Sequence, residues 1–251
     1  MKYNLKTEEK KVVKEIDKAK KLHREGVKGL RGKLWRAFRD RSPESYVESL
    51  RGVDAFFSHV RKLPKKQIID LGTGTARAIH GLSEGLMGEG LSFKGIDVVR
   101  PDQLNDLIGN EHFIETSVEE LGGIDDESCG GLLSVAGALS YTASIPLSIL
   151  SIDRVLVPGG ILKASLSPGL GNKKWPYNER NRQIIDWLKS LGYDVSLKKV
   201  YLKKANGARI PNVVLIAIKP PLQETSAKEL LEKDLESWEK QMGQISEERR
   251  K

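Results

Sequence analysis

The sequence predicts an α/β protein: a doubly wound, mostly parallel sheet of seven strands, closed at one edge by an antiparallel hairpin. Three observations carry this. Short apolar runs alternate with amphipathic stretches from residue 67 to residue 191, and repeated strand–helix alternation builds a parallel sheet with helices on both faces. The first run ends in a glycine turn, Gly72-Thr73-Gly74, directly before a helical stretch, as at the ligand-binding edge of open sheets. Two further apolar segments flank Asn206-Gly207, a hairpin signal.

Residues 7–24 read as a helix, because Val12, Val13, Ile16, Ala19 and Leu22 recur at spacings of three and four. Thr7 suits its N-cap, and Glu8 and Glu9 suit its first turn. Gly26, Gly29 and Gly32 follow, and then Leu34, Trp35 and Phe38 lie among Arg31, Lys33, Arg36, Arg39 and Arg41. A single helix is expected to open with Pro43 at its first position and to run on towards Pro64, with Tyr46, Val47, Leu50, Val53, Phe56 and Phe57 on its apolar side. Pro64 ends it. Residues 67–71 are the first strand, and a helix starts at Ala76. Strands follow at 92–99, 112–116 and 132–136, with a helix opening at Pro101 between the first two of these. Residues 146–155 are helical, Pro158-Gly159-Gly160 turns the chain, and 161–166 is the fifth strand. A helix at 179–191 ends before Gly192, and 195–202 with 213–218 form the hairpin.

Composition narrows the function classes. One cysteine excludes a disulfide framework and a multi-thiolate zinc site, and the four histidines have no metal-ligand spacing; no metal is expected. Residues 129–152 carry no charge over a length that would cross a bilayer. Their glycines, Pro146 and five serines read instead as a buried strand, a loop and a helix. The N-terminus has no apolar signal-peptide core, so a reducing, cytoplasmic setting is expected.

The net charge of +8 is unevenly placed: residues 1–41 hold 15 Lys/Arg against 6 Asp/Glu, and the remainder is almost neutral. The expected organisation is a basic helical extension over 1–60, a ligand-binding domain over 61–222 and an amphipathic helix over 223–251. The basic extension, with its aromatics, offers phosphate contacts and stacking to RNA or DNA; its plainer reading is a solvated helix face. In the last segment Leu231, Leu235, Trp238, Met242 and Ile245 form a heptad-like seam. The plain expectation is packing against the N-terminal helix, and the sharper one a dimer contact.

The chemistry starts at Asp70-Leu71-Gly72-Thr73-Gly74-Thr75-Ala76. Glycines allow positive φ and close approach of a ligand to the main chain. Asp97 ends the second strand 23 residues beyond Gly74, where an acid accepts hydrogen bonds from ribose hydroxyls. A dinucleotide loop would want a third glycine where Arg77 stands.

The loop resembles the acid-x-Gly-x-Gly-x-Gly pattern of class I S-adenosylmethionine-dependent methyltransferases, with Ala76 at the last glycine. Arg154-Val155-Leu156-Val157-Pro158-Gly159-Gly160 resembles that family's turn before strand five. The resemblance covers residues 45–220 and implies a Rossmann-like fold, S-adenosylmethionine as cofactor and methyl transfer as activity. It places Gly72 and Gly74 against the methionine and ribose, with Thr73 lining the turn. Asp70 would reach the methionine amino group through water, Asp97 the ribose, and Val98 the adenine face. Ser117 stands where the family carries an aspartate for the adenine amino group, so the Ser117 hydroxyl or the Val118 amide would serve. Ala136, ending the fourth strand, completes the expected cofactor contacts.

No general base is expected by necessity, because a sulfonium methyl is already activated. The fourth strand lacks the Asn/Asp-Pro-Pro-aromatic motif of amino-methylating enzymes, and Cys129 precedes it, which reads as a structural thiol. Tyr141 is the candidate for orienting an acceptor, which is a small molecule, RNA or protein. Two other readings remain: a non-catalytic nucleic-acid or protein-binding module on the same fold, and an NAD-dependent oxidoreductase.

Overall fold

A computed structural model of the protein describes residues 4–24, 42–74, 76–86, 90–100, 112–135, 138–166, 179–203, 209–221 and 226–248. Strands β1 (Gln67–Leu71), β2 (Ser92–Asp97), β3 (Phe113–Glu115), β4 (Cys129–Val135), β5 (Leu156–Leu166), β6 (Asp194–Lys203) and β7 (Arg209–Ile218) form one sheet of order β3-β2-β1-β4-β5-β7-β6. Neighbours from β3 to β5 pair in parallel, and β7 runs antiparallel to β5 and β6. The strand order reverses between β1 and β4, which opens a crevice at their carboxyl ends.

The helices are α1 (Leu5–Arg24), α2 (Pro43–Leu50), α3 (Asp54–Arg61), α4 (Arg77–Leu86), α5 (Ala138–Tyr141), α6 (Ile145–Val155), α7 (Glu179–Ser190) and α8 (Ala227–Glu248). Successive strand residues point to opposite faces, so Leu133 joins a cluster with α2, α3, α4 and α8 while Leu132 joins one with α6 and α7. Every residue of β4 is buried. Its glycines let α3 lie close: a Cβ on Gly131 would stand 2.6 Å from Phe56 Cζ, and one on Gly130 2.1 Å from the Lys65 carbonyl.

Several boundaries differ from expectation. The helix expected from Pro43 towards Pro64 is two helices, because Arg51 (φ 55°) and Gly52 (φ 89°) turn the chain between α2 and α3. Asn4, rather than Thr7, sits ahead of α1, its Oδ1 accepting the Thr7 N–H at 3.4 Å. Pro158-Gly159-Gly160 lies inside β5, where the register with β4 shifts between Cys129 and Gly131. The Pro101 helix and the Asn206-Gly207 turn fall outside the described residues.

A buried ionic node fixes the α2–α3 junction. Lys163 on β5 bonds to Asp234 on α8, both side chains fully buried, and its Nζ also donates to Gly52 O at 2.7 Å. Asp234 Oδ1 accepts the Ala55 N–H at 2.7 Å. Val53, the N-cap of α3, makes no side-chain cap bond, so Asp234 supplies that cap from another helix. The C-terminal seam therefore packs elsewhere than expected: α8 lies on α3, β6 and β7, with Leu231, Leu235 and Trp238 buried and Met242 exposed. Helix α1 instead lies beside α6, burying Val12 and Ala19, and Lys20 pairs with Glu115 at 2.8 Å. No helix among the described residues is long and apolar enough to cross a membrane; the uncharged stretch forms β4, α5 and most of α6.

Candidate functional site

The loop after β1 folds back on β2: the Gly72 and Thr73 N–H groups both donate to Ile96 O at 2.9 Å. Gly72 (φ 78°), Gly74 (φ 60°) and Ala76 (φ 59°) all take the left-handed conformation, which glycine adopts without strain and alanine does not. Thr73 fits against β2 because Gly95 has no side chain; a Cβ there would stand 2.7 Å from the Thr73 methyl. The Ala76 carbonyl then accepts the His80 N–H at 2.9 Å, and α4 begins.

Asp97 closes the loop from the other side. Its Oδ2 accepts the Gly74 N–H at 3.0 Å and its Oδ1 the Val98 N–H at 2.8 Å. Burial pushes its carboxyl up to about 6; the backbone N–H groups oppose that, and the charge of Asp70 adds to it. Asp70, buried at the end of β1, accepts a hydrogen bond from the Tyr46 phenol on α2. Val98 is half-buried beside Asp97.

The segment after β3 lies against the end of β2. The Thr116 N–H donates to Asp97 O at 3.0 Å, and the Ser117 carbonyl accepts the Leu121 N–H at 2.9 Å. Ser117 and Val118 are both buried, and the Ser117 hydroxyl has no partner among the described residues. A buried hydroxyl is ordinarily hydrogen-bonded, so this one fits a ligand atom.

The structure thus brings Asp70, Gly72, Thr73, Gly74, Asp97, Val98, Ser117 and Val118 to the carboxyl edge of β1, β2 and β3. Ala136 lies outside the described residues. Tyr141 is half-buried at the end of α5, beyond β4. Cys129 starts β4 at the opposite edge, about 20 Å of strand from that strand's carboxyl end. Burial pushes its thiol up to about 11, which suits a structural residue. His80 is a flank residue of α4, 3.5 Å from Glu84.

Two residues of the site were not singled out from sequence. Tyr46 counted only as part of an apolar helix face. Glu119 is the other: its Oε1 accepts from the Thr142 hydroxyl and the Ala143 N–H, tying the chain just ahead of α6 to the segment after β3. An acid four residues after β3 and a Ser/Thr-rich stretch ahead of α6 were the available signals, and neither names the other as its partner.

No protein-family model and no curated protein matches the sequence. Solved structures do. A phosphoethanolamine N-methyltransferase of Haemonchus contortus, solved with phosphomonomethylethanolamine and S-adenosylhomocysteine, matches with a TM-score of 0.52 at 14% identity, covering 71% of this chain and 54% of that one. An S-adenosylmethionine-dependent methyltransferase of Methanosarcina mazei matches at 0.46 and 18%, covering 66% and 97%. The 1,6-didemethyltoxoflavin N1-methyltransferase of Burkholderia thailandensis matches at 0.46 and 17%, covering 72% and 92%. The chain has the Rossmann-like fold of class I S-adenosylmethionine-dependent methyltransferases.

Proposed function

We propose that the protein is an S-adenosylmethionine-dependent methyltransferase acting on a small molecule, RNA or protein. The observation that carries this reading is Asp97 fixed across the glycine loop by the Gly74 N–H. Its carboxylate is thereby set beside backbone that approaches closely, as a ribose site requires. When bound, the cofactor supplies a methyl on a sulfonium, an already activated leaving group.

The chain's own residues bind, orient and exclude water. Both Asp97 oxygens accept backbone N–H groups, and a carboxylate with about four lone-pair sites keeps capacity for a ribose hydroxyl. The Ser117 hydroxyl and the Val118 amide would hold the base. Asp70 would receive the methionine amino group. Tyr141 borders the acceptor side, where alignment of acceptor and methyl provides most of the acceleration. The single, buried thiol of Cys129 fits a reducing cytoplasm.

Calorimetry with S-adenosylmethionine, S-adenosylhomocysteine and NAD tests the reading. Micromolar binding of the first two supports it, and binding of NAD alone overturns it. Tight cofactor binding without turnover across small-molecule, RNA and protein acceptors would favour a binding module.

A further inference from the structure

Two carboxylates stand at the ends of adjacent parallel strands, and they are held by different means. Asp97 is held by backbone N–H groups of its own loop. Asp70 takes the phenol of a residue 24 positions earlier, Tyr46, on a helix that precedes the sheet. Both Tyr46 and Asp70 are buried.

Helix α2 is clamped where it delivers that phenol. Pro43 occupies the space left by Gly81 on α4; a Cβ there would stand 2.3 Å from Pro43 Cγ. Asn212 Nδ2 on β7 donates to Ser49 O at 3.0 Å, and Lys163 donates to Gly52 O just past the helix. The hydroxyl therefore meets Asp70 on a support tied to α4, β5 and β7.

We propose that Tyr46 is a positioning residue for the amino-acid end of the cofactor, acting through Asp70. The proposal rests on the S-adenosylmethionine reading above. The phenol donates to one oxygen of the Asp70 carboxylate. Such a bond fixes the carboxylate's rotamer. Tyr46 thus holds the Asp70 carboxylate in one orientation at the end of β1, where it would receive a cationic amino group. A phenylalanine fills the same space and removes the hydroxyl that donates to Asp70.

The test uses the full chain with Tyr46→Phe, titrated with S-adenosylhomocysteine and with 5′-methylthioadenosine, which has the adenosine but no amino-acid end. Affinity for S-adenosylhomocysteine should fall about tenfold, while that for methylthioadenosine changes less than about twofold. In an Asp70→Ala background, adding Tyr46→Phe should cost less than about a further twofold, because residues acting through one another are not additive. Equal loss of both ligands would mean that Tyr46 only shapes the site, and would overturn the proposal. So would an unchanged S-adenosylhomocysteine affinity, or the full loss recurring without Asp70. A parent protein that binds neither ligand would overturn the cofactor reading itself, and this role with it. A parent that binds both, beside an unaffected variant, overturns only the role of Tyr46.

Discussion

Replacing Asp234 with alanine would strand the Lys163 ammonium in the core. Both side chains are 0% exposed, and Nζ would keep the Gly52 carbonyl at 2.7 Å as its close partner. Asp54 also acts on that ammonium, but as a charge and not as a hydrogen-bond partner. The Ala55 N–H would lose its 2.7 Å acceptor at the start of α3. Breaking a buried pair and orphaning one N–H together cost about 4–6 kcal/mol, or roughly 10–20 °C in Tm for a chain of this size. Lys163→Met should be comparably damaging, because it leaves the Asp234 carboxylate unpaired. The double variant Lys163→Met/Asp234→Asn removes both charges and keeps an oxygen for Ala55, so it should lose less than either single variant. Differential scanning calorimetry at one pH, with guanidinium unfolding as a cross-check, reads all of these. A fall of under about 3 °C for Asp234→Ala, or a double variant that loses the sum of the singles, would refute the reasoning.

Asp97→Ala should weaken S-adenosylhomocysteine at least about tenfold in calorimetry, since each hydrogen bond to a charged acceptor contributes about 1.5–3 kcal/mol. Because the Asp97 carboxyl is pushed up to about 6, cofactor affinity should be level above roughly pH 7 and weaken as pH falls through 6. The folded protein binds this proton more readily than the unfolded chain. Asp97 therefore costs stability above about pH 6, and the cost is relieved as pH falls towards 4. Ala76→Gly, at φ 59°, should raise Tm by a few degrees, because relief of left-handed strain of about 1–2 kcal/mol outweighs the entropy of an added glycine. Gly131→Ala should lower stability by about 1–3 kcal/mol by pushing Phe56 off β4, and Phe56→Leu in that background should recover part of the loss in thermal unfolding.

The sheet was legible in the sequence because its signals are local. Each apolar run is bounded by its own turn residues within a few positions, and all seven strands follow from such runs. What escaped depends on partners far along the chain. The break at Arg51–Gly52 is set by α8, for a Cβ on Gly52 would stand 2.6 Å from Asp234 O. The Lys163–Asp234 pair joins residues 71 positions apart. Its trace in the sequence was a lysine inside the apolar run Ile161-Leu162-Lys163-Ala164 and an aspartate beside the Leu231–Leu235 seam. Two polar residues on apolar faces identify no partner for each other. Tyr46 escaped for the same reason: its burial follows from helical periodicity, but its hydrogen bond to Asp70 follows only from how α2 is docked. The acceptor side was not legible because, on the proposed reading, transfer of a sulfonium methyl would impose no fixed catalytic residues on it.

A crystal structure of the protein with S-adenosylhomocysteine tests the central claim most directly. The account predicts both ribose hydroxyls within hydrogen-bond distance of the Asp97 carboxylate, about 2.6–3.2 Å, with the Ser117 hydroxyl or the Val118 amide bonded to the adenine and the Tyr46–Asp70 pair intact beneath the amino-acid end. Ligand bound elsewhere, or at the loop with its ribose turned away from Asp97, would contradict it.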